Sequence, residues 1–356
     1  MLARLSETLP EGGEFIYEPK WDGFRAIIFR GRAGGHTPFP AVYIQSRDLR
    51  PLDRYFPELR DRFLELLPDG CVVDGEIVIA TPHGLDFDAL QLRLHPAASR
   101  VAKLAKETPA AFVAFDLLAS NGRDLRNEPQ HERRWLLERL LDKVPPPIHL
   151  TPMTHDRRVA AEWLARFEGA GLDGGVAKPA DGRYESGTRA MIKVKHARTT
   201  DCVVAGFRWY KDTDDAIGSL LLGLHDEAGR LHHVGVTSSF SMARRKELAR
   251  QLAPLRTHAL DDHPWRNWAE GEGSGARMPG GQSRWSAGKD LSWESLRPER
   301  VCEVKYDHLQ GTRFRHATTF LRWRPDKRPS DCRYDQLEVT PPYELDAVFG
   351  AGLKAR

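Results

Sequence analysis

Long apolar runs are missing from this chain. No stretch approaches the ~20 residues that span a bilayer, and the longest are strand-like, such as residues 219–224. A secretory signal is missing too: MLARLSETLPEGGEF has no apolar core after its basic residue. Cysteine is scarce, with Cys71, Cys202, Cys302 and Cys332 far apart and no CxxC pair. That excludes a disulfide scaffold and a zinc ribbon. The expectation is a reduced, cytoplasmic protein with no membrane segment. An excess of one charge is also lacking: 53 Lys and Arg face 50 Asp and Glu, a net +3. Strong phosphate binding usually needs a basic surface, so this balance weighs against a nucleic-acid partner.

What is present suffices for about two folded domains: 356 residues, 40% hydrophobic. Residues 15–17 and Phe24–Arg30 read as strands around a Lys-Trp-Asp-Gly turn, where Gly23 supplies backbone freedom. Pro51 opens an amphipathic helix whose apolar stripe is Leu52, Tyr55, Phe56, Leu59, Phe63 and Leu67. Strands follow at 71–80 and 112–118, helices at 135–141 and Arg157–Phe167, and short strands at 175–178 and 191–195. Regular βαβ alternation is absent, so the first domain (1–199) is α+β with mainly antiparallel sheets. After about Thr199, short strands at 202–207, 217–224, 231–236, 301–306 and 318–323 surround one basic helix, Met242–Leu252. This pattern fits a small Greek-key barrel of the OB type over 200–330. Residues 261–298 read as a long loop, and 331–356 as a tail that docks as an arm or a short helix.

Five clusters carry chemistry, and each has a bland alternative. Lys20-Trp21-Asp22-Gly23-Phe24-Arg25 puts a lysine beside a turn with a carboxylate and an arginine nearby. A lysine attacks only through its deprotonated amine, which burial or neighbouring cations favour. Arg25, Lys193 and Lys195 could supply those cations and hold phosphate oxygens. A solvated surface turn accounts for the cluster about equally well. Asp74-Gly75-Glu76 sits within apolar residues, where a carboxylate is costly unless it binds a ribose, an arginine or a metal. Asp-Gly is also a common turn pair. Asp173-Gly174-Gly175-Val176-Ala177-Lys178 is the third cluster. Lys193 and Lys195 share one strand face, which suits a polyanion or a lysine-protected edge. Arg322 and Arg324 likewise share a face in Phe320-Leu321-Arg322-Trp323-Arg324-Pro325-Asp326-Lys327.

Order resolves the ambiguity, because each cluster occurs once and in sequence. The chain resembles the covalent nucleotidyltransferase superfamily and, within it, the ATP-dependent DNA ligases. Lys20-x-Asp22-Gly23-x-Arg25 looks like the signature around their adenylated lysine. Ser46-Arg47, Asp74-Gly75-Glu76, Phe115-Asp116, residues 173–178, Lys193-x-Lys195 and Arg324-x-Asp326-Lys327 resemble the motifs that follow. The stretches Tyr17-Glu18-Pro19-Lys20-Trp21-Asp22-Gly23-Phe24-Arg25 and Phe320-Leu321-Arg322-Trp323-Arg324-Pro325-Asp326 look like the stand-alone bacterial ligase C class, related to the ligase module of ligase D. One departure stands out: the fourth motif usually begins with glutamate, and this chain has Asp173.

The resemblance implies a nucleotidyltransferase (adenylation) domain followed by an OB-fold domain, and a nick-sealing enzyme that works through lysyl-AMP. Lys20 is the expected nucleophile. Lys193 and Lys195 hold the α-phosphate, while Arg324 and Lys327 orient the departing pyrophosphate. Glu18 accepts from the adenine amino group and Phe115 stacks on the base. Arg47 and Glu76 contact ribose or fix Arg25, and Asp22 assists the later steps on DNA. Asp173 and Glu76 are the expected ligands for Mg²⁺ or Mn²⁺. The barrel turns about a hinge near residues 198–202. DNA contacts go mainly to phosphates, with Arg244, Arg245, Lys246, Arg250 and the Arg284…Lys289 loop as candidates. The expected partners are nicked duplex DNA and repair proteins, and the expected form is a monomer acting as a minimal or backup ligase without an extra N-terminal DNA-binding domain. An RNA ligase or capping guanylyltransferase is the nearest alternative, and a non-catalytic nucleic-acid binder the next. Charge is less adverse than its total suggests. Between Arg297 and Arg328 nine basic residues face four acids, a local excess larger than that of the whole chain.

Overall fold

The computed structural model describes residues 1–31, 41–81, 84–195, 198–211, 213–269, 292–307, 309–337 and 343–354. The chain divides into two units, 1–196 with 340–356, and 197–339.

The first unit is built on two sheets. Its strands are β1 (Ala3–Ser6), β2 (Phe15–Pro19), β3 (Phe24–Arg30), β4 (Val42–Ser46), β5 (Val72–Val78), β6 (Ala111–Ser120), β7 (Ile148–Leu150), β8 (Gly175–Pro179) and β9 (Met191–Val194). One sheet runs β1-β9-β8-β2 and the other β7-β6-β5-β3-β4. Pairing is antiparallel except for β1 with β9 and β7 with β6, as expected for this α+β domain. The helices include α1 (Pro57–Leu66), α2 (Gln130–Leu141) and α3 (Arg157–Phe167), with two more at Phe87–Leu92 and Ala98–Glu107. Helix α1 starts at Pro57 rather than Pro51, because Pro51 bridges back to Gln45 and residues 53–55 form a 3-10 turn. The stripe is nevertheless real: Leu52, Phe56, Leu59, Phe63 and Leu67 are buried. Each such side chain contributes about 1.5–3 kcal/mol.

Between β2 in one sheet and β3 in the other lies the Lys20–Gly23 turn. Gly23 is needed there for space rather than for an unusual dihedral. A Cβ at this position would meet the carbonyl oxygen of Ile77 at 2.2 Å. Asp74-Gly75-Glu76 lies inside β5, not in a turn, and Asp74 is fully buried.

The second unit is a barrel. Its main strands are β10 (Arg198–Trp209), β11 (Ile217–His225), β12 (Leu231–Thr237), β13 (Glu294–Tyr306) and β14 (Thr319–Trp323), with a short hairpin of Leu309–Gln310 and Arg313–Phe314 besides. They run in the order β12-β11-β10-β13-β14. A bridge between Thr237 and Thr318 joins the two ends, with Thr318 N donating to Val236 O at 2.8 Å. Helix α4 (Met242–Leu252) is capped by Ser241 and buries Leu248 and Leu252. The expected hinge at 198–202 is instead paired strand, from Arg198 opposite Tyr306 to Cys202 opposite Cys302. The expected loop ends early, since Glu294 already belongs to β13 and Trp265 is buried; its middle, 270–291, lies outside the described residues. The tail splits between the units. Cys332 and Leu337 join the barrel core, whereas α5 (Leu345–Lys354) packs Leu345 and Val348 on the first unit.

Gly23→Ala is expected to destabilise the first unit by about 1–3 kcal/mol through overpacking. An unchanged urea midpoint would contradict the space argument.

Candidate active site

Backbone register places the lysine. Pro19 pairs with Gly175 in the β2–β8 ladder, and the pairing continues one step further. Lys20 N donates to Gly174 O at 2.8 Å, and Asp173 N donates to Lys20 O at 2.9 Å. The two side chains therefore lie together, with Lys20 Nζ donating to Asp173 Oδ2 at 2.6 Å. Lys195 Nζ reaches the same oxygen at 3.0 Å. Burial raises the Asp173 carboxyl, but Lys20 and Lys195 outweigh it and the net direction is down. Short as it is, the Asp173 side chain reaches both lysines. Lys193 is lowered, first by burial and then by Lys20 and Lys195. Arg47 adds a smaller push in the same direction.

A cavity of about 270 Å³ opens here. Lys20, Arg25, Arg47, Glu76 and Lys193 help line it, together with Glu18, Phe115 and Lys178. Most of the residues expected from sequence thus converge. Asp22 is not among the lining residues, and Asp173 and Lys195 join through the Lys20 contact.

Arg25 is fixed by Asp74 and not by Glu76. Its Nε and Nη2 donate to the two Asp74 oxygens at 3.0 and 2.6 Å, and its Nη1 donates to Met1 O. Tyr184 Oη also donates to Asp74, at 2.9 Å. Asp74 stands opposite Asp116 in the β5–β6 ladder. Two facing acids would repel, but each holds its own arginine. Arg133 Nε and Nη2 donate to Asp116 at 2.8 and 3.0 Å. Of the partners expected for the Asp74-Gly75-Glu76 acids, Asp74 takes an arginine; Arg133 and Tyr184 escaped the sequence reading, because each lies on a different element. Glu76 is the exception to this pairing. Its carboxyl has no hydrogen bond or ion pair among the described residues, and burial pushes it from 4.5 up to about 8 against the pull of Lys20 and Arg25. Glu76 and Asp173 both feel the charge of Lys20, but among the described residues no group of three or more His, Cys, Asp or Glu is placed to hold a metal ion.

Across the cavity, Glu18 Oε2 pairs with Lys178 Nζ at 2.7 Å, and Lys178 also donates to Phe115 O at 2.9 Å. Glu18 Oε1 is buried and has no hydrogen-bond partner. Lys178 Nζ lies 4.8 Å from the Phe115 ring centre.

In the second unit, Arg324 is clamped between two acids. Its Nη1 donates to Asp201 at 2.9 and 3.0 Å, and its Nη2 to Asp326 at 2.7 Å. Lys327 lies 4.0 Å from Asp201. Asp201 was not anticipated; it stands 123 residues before Arg324, and only the barrel brings them together. Arg245 is a structural clamp: it donates to the carbonyls of Ile217, Gly218 and Ser238 and lies over Tyr210. It is therefore not free for a phosphate. Arg244 pairs with Glu247 and Lys246 with Asp215, while Arg250 is exposed. The Arg284…Lys289 loop lies outside the described residues.

Comparison with known proteins gives these contacts a setting. The profile described as "ATP dependent DNA ligase domain" matches residues 1–195. The chain belongs to the ATP-dependent DNA ligases. A second profile, "ATP dependent DNA ligase C terminal region", matches 213–327 of the ligase. DNA ligase C2 of Mycolicibacterium smegmatis is 53% identical, over 96% of this chain and 94% of that one. DNA ligase C of Mycobacterium tuberculosis is 52% identical, over 95% and 93%. A solved Lig E DNA ligase shares the fold at 17% identity with a TM-score of 0.55, over 91% of this chain and 99% of that one. The first unit of the ligase is thus the adenylation domain and the second the OB-fold domain. Among the described residues, no helix is long and apolar enough to cross a membrane.

Glu76 carries a pH signature. Its folded value near 8 exceeds the ordinary 4.5, so its stability contribution is present below 4.5 and is lost as pH rises toward 8. Glu76→Gln stays neutral throughout. In chelator and without ATP, its urea midpoint should gain on the parent's between pH 5 and pH 8. A constant gap would show that Glu76 is not desolvated.

Proposed function

We propose that this ligase seals 5′-phosphate/3′-hydroxyl nicks in duplex DNA through a covalent adenylate on Lys20. The observation that carries the proposal is the meeting of Lys20 Nζ, Asp173 and Lys195 beside a cavity that also holds Lys193 and Glu76. In the first displacement, Lys20 Nζ forms a bond to the α-phosphorus of ATP and the bond to pyrophosphate breaks. The lysine then carries AMP, so the anhydride's energy is retained. In the second, the 5′-phosphate of the nick takes AMP from Lys20. In the third, the 3′-hydroxyl attacks that phosphate and AMP leaves.

The chain's own groups have distinct parts in this. Asp173 orients the amine, and a triphosphate arriving at Lys193 and Lys195 competes with Asp173 for their charge. Those two cations then meet the charge that develops on the phosphate. Glu18 Oε1 accepts from the adenine amino group, Phe115 packs on the base, and Arg47 contacts ribose. Arg25, locked to Asp74, presents a fixed positive field. Asp22 serves the DNA steps. From the barrel, Arg324 and Lys327 orient pyrophosphate, which requires Arg324 to exchange an acid for a phosphate. Asp173 and Glu76 would hold Mg²⁺ or Mn²⁺, which supplies charge neutralisation at the phosphates; water and phosphate oxygens would complete its shell. Nicked duplex is the partner, the ligase acts as a monomer, and DNA repair is the setting.

Incubation with ATP should add the mass of one AMP, and Lys20→Ala should abolish the gain. GTP should add nothing, and nicked DNA should be sealed in preference to nicked RNA. Lys193→Ala should slow adenylation by about 10²–10³-fold, the loss typical of removing one charge-stabilising donor. Labelling by GTP alone would instead favour a capping enzyme.

A further inference from the structure

Behind the base-facing wall of the cavity lies a buried charge cluster outside every motif quoted above. Arg134, on α2, is as buried as Glu18. Its Nε donates to Glu138 Oε1 at 3.0 Å, and its Nη2 donates to Thr151 O at 2.8 Å. Those two bonds fix the plane of the guanidinium and leave one nitrogen, Nη1, without a hydrogen bond. That nitrogen pairs at 3.6 Å with Glu18 Oε1, which is also buried and lacks a hydrogen bond. Unsatisfied buried polar atoms are rare and call for a cause. Here two of opposite character face each other, and one belongs to the carboxylate lining the nucleotide cavity. Glu18 and Lys178 line that cavity, whereas Arg134 and Glu138 line another, of about 340 Å³. The Glu18–Arg134 pair is therefore part of the partition between two cavities.

We propose that Arg134 is a specificity-determining residue for the nucleotide, holding Glu18 as a charged, oriented acceptor so that the cavity takes adenine and refuses guanine. The proposal rests on the reading that Glu18 Oε1 faces the base. An ionised carboxylate only accepts, so it suits the adenine amino group and repels a carbonyl oxygen. A protonated one donates, which suits guanine's carbonyl. Which form Glu18 takes is a contest. Burial outweighs the rest and raises its carboxyl overall; Lys178 and then Arg134 pull it back, and Asp116 adds to the rise. Glu138 faces Arg134 rather than Glu18. Lys178 alone leaves Oε1 unattended; Arg134 supplies the second cation on that side. A rigid planar fork does this better than a lysine, whose point charge has no fixed direction.

The test is labelling with radiolabelled ATP and GTP from pH 6 to pH 9. In Arg134→Gln the ATP-to-GTP ratio should fall at least tenfold near pH 6.5 and recover as pH rises. The change should appear in the KM for ATP, with the rate at saturation little altered. Arg134→Lys should show a smaller fall, about threefold, and covers the case in which the glutamine variant does not fold. Glu18→Gln should be flat with pH, and adding Arg134→Gln to it should change nothing further. A parent-like ratio at every pH in a folded Arg134 variant overturns the proposal alone. GTP labelling of the parent overturns the adenine reading, and this proposal with it.

Discussion

The Lys20–Asp173 clasp sets the site. One backbone hydrogen bond and one ion pair join these residues across 153 positions of sequence, and a second backbone bond ties Lys20 to Gly174. Because the clasp extends a strand ladder, its geometry follows from sheet register rather than from a loop. Lys20 opens the turn that passes from one sheet to the other, so its amine stands where both sheets contribute groups. From the first come Glu18, Lys178 and Lys193; from the second come Arg25, Glu76 and Phe115. Gly174 makes the approach possible, at φ +123° with a Cβ position only 2.0 Å from Val194 O.

Charge is handled locally. Asp74 with Arg25, Asp116 with Arg133, and Glu18 with Lys178 are buried pairs, each hydrogen-bonded. Isolated, any of these charges would be costly to bury. Paired, they form a stiff frame around the two groups that are left incomplete, Glu76 and the Oε1 of Glu18. A scaffold that satisfies its own charges and leaves selected acceptors open is pre-organised for a ligand. The small net charge of the chain follows from the same design, since each cation of the frame has an acid beside it.

Much of this was legible in the residues. Helices Arg157–Phe167 and Met242–Leu252 have the bounds read from the sequence; each carries a side-chain cap at its start and tightens into a 3-10 turn at its end. The order of the motifs identified the family. What stayed hidden depended on pairing at long range. Arg133 and Arg134 look like solvated helix residues until α2 is laid against β6 and β2, and Asp201 is an ordinary strand residue until the barrel brings Arg324 to it. Gly23 was legible as necessary, but its reason was not, since the carbonyl it accommodates belongs to Ile77, on a strand far along the chain. The split of the tail was equally invisible: short apolar stretches do not reveal which core they join.

The bridge between Thr237 and Thr318 gives the barrel a seam. Elsewhere neighbouring strands share ladders of several residue pairs; here a single bridge is reinforced by Thr237 Oγ1 donating to Thr318 O at 2.9 Å. Such a joint holds fewer residue pairs than any other between neighbouring strands of this sheet. Parting it would turn β12 and β14 into open edges, the kind of surface on which other chains can add strands. Two threonines thus keep both edges of the sheet covered.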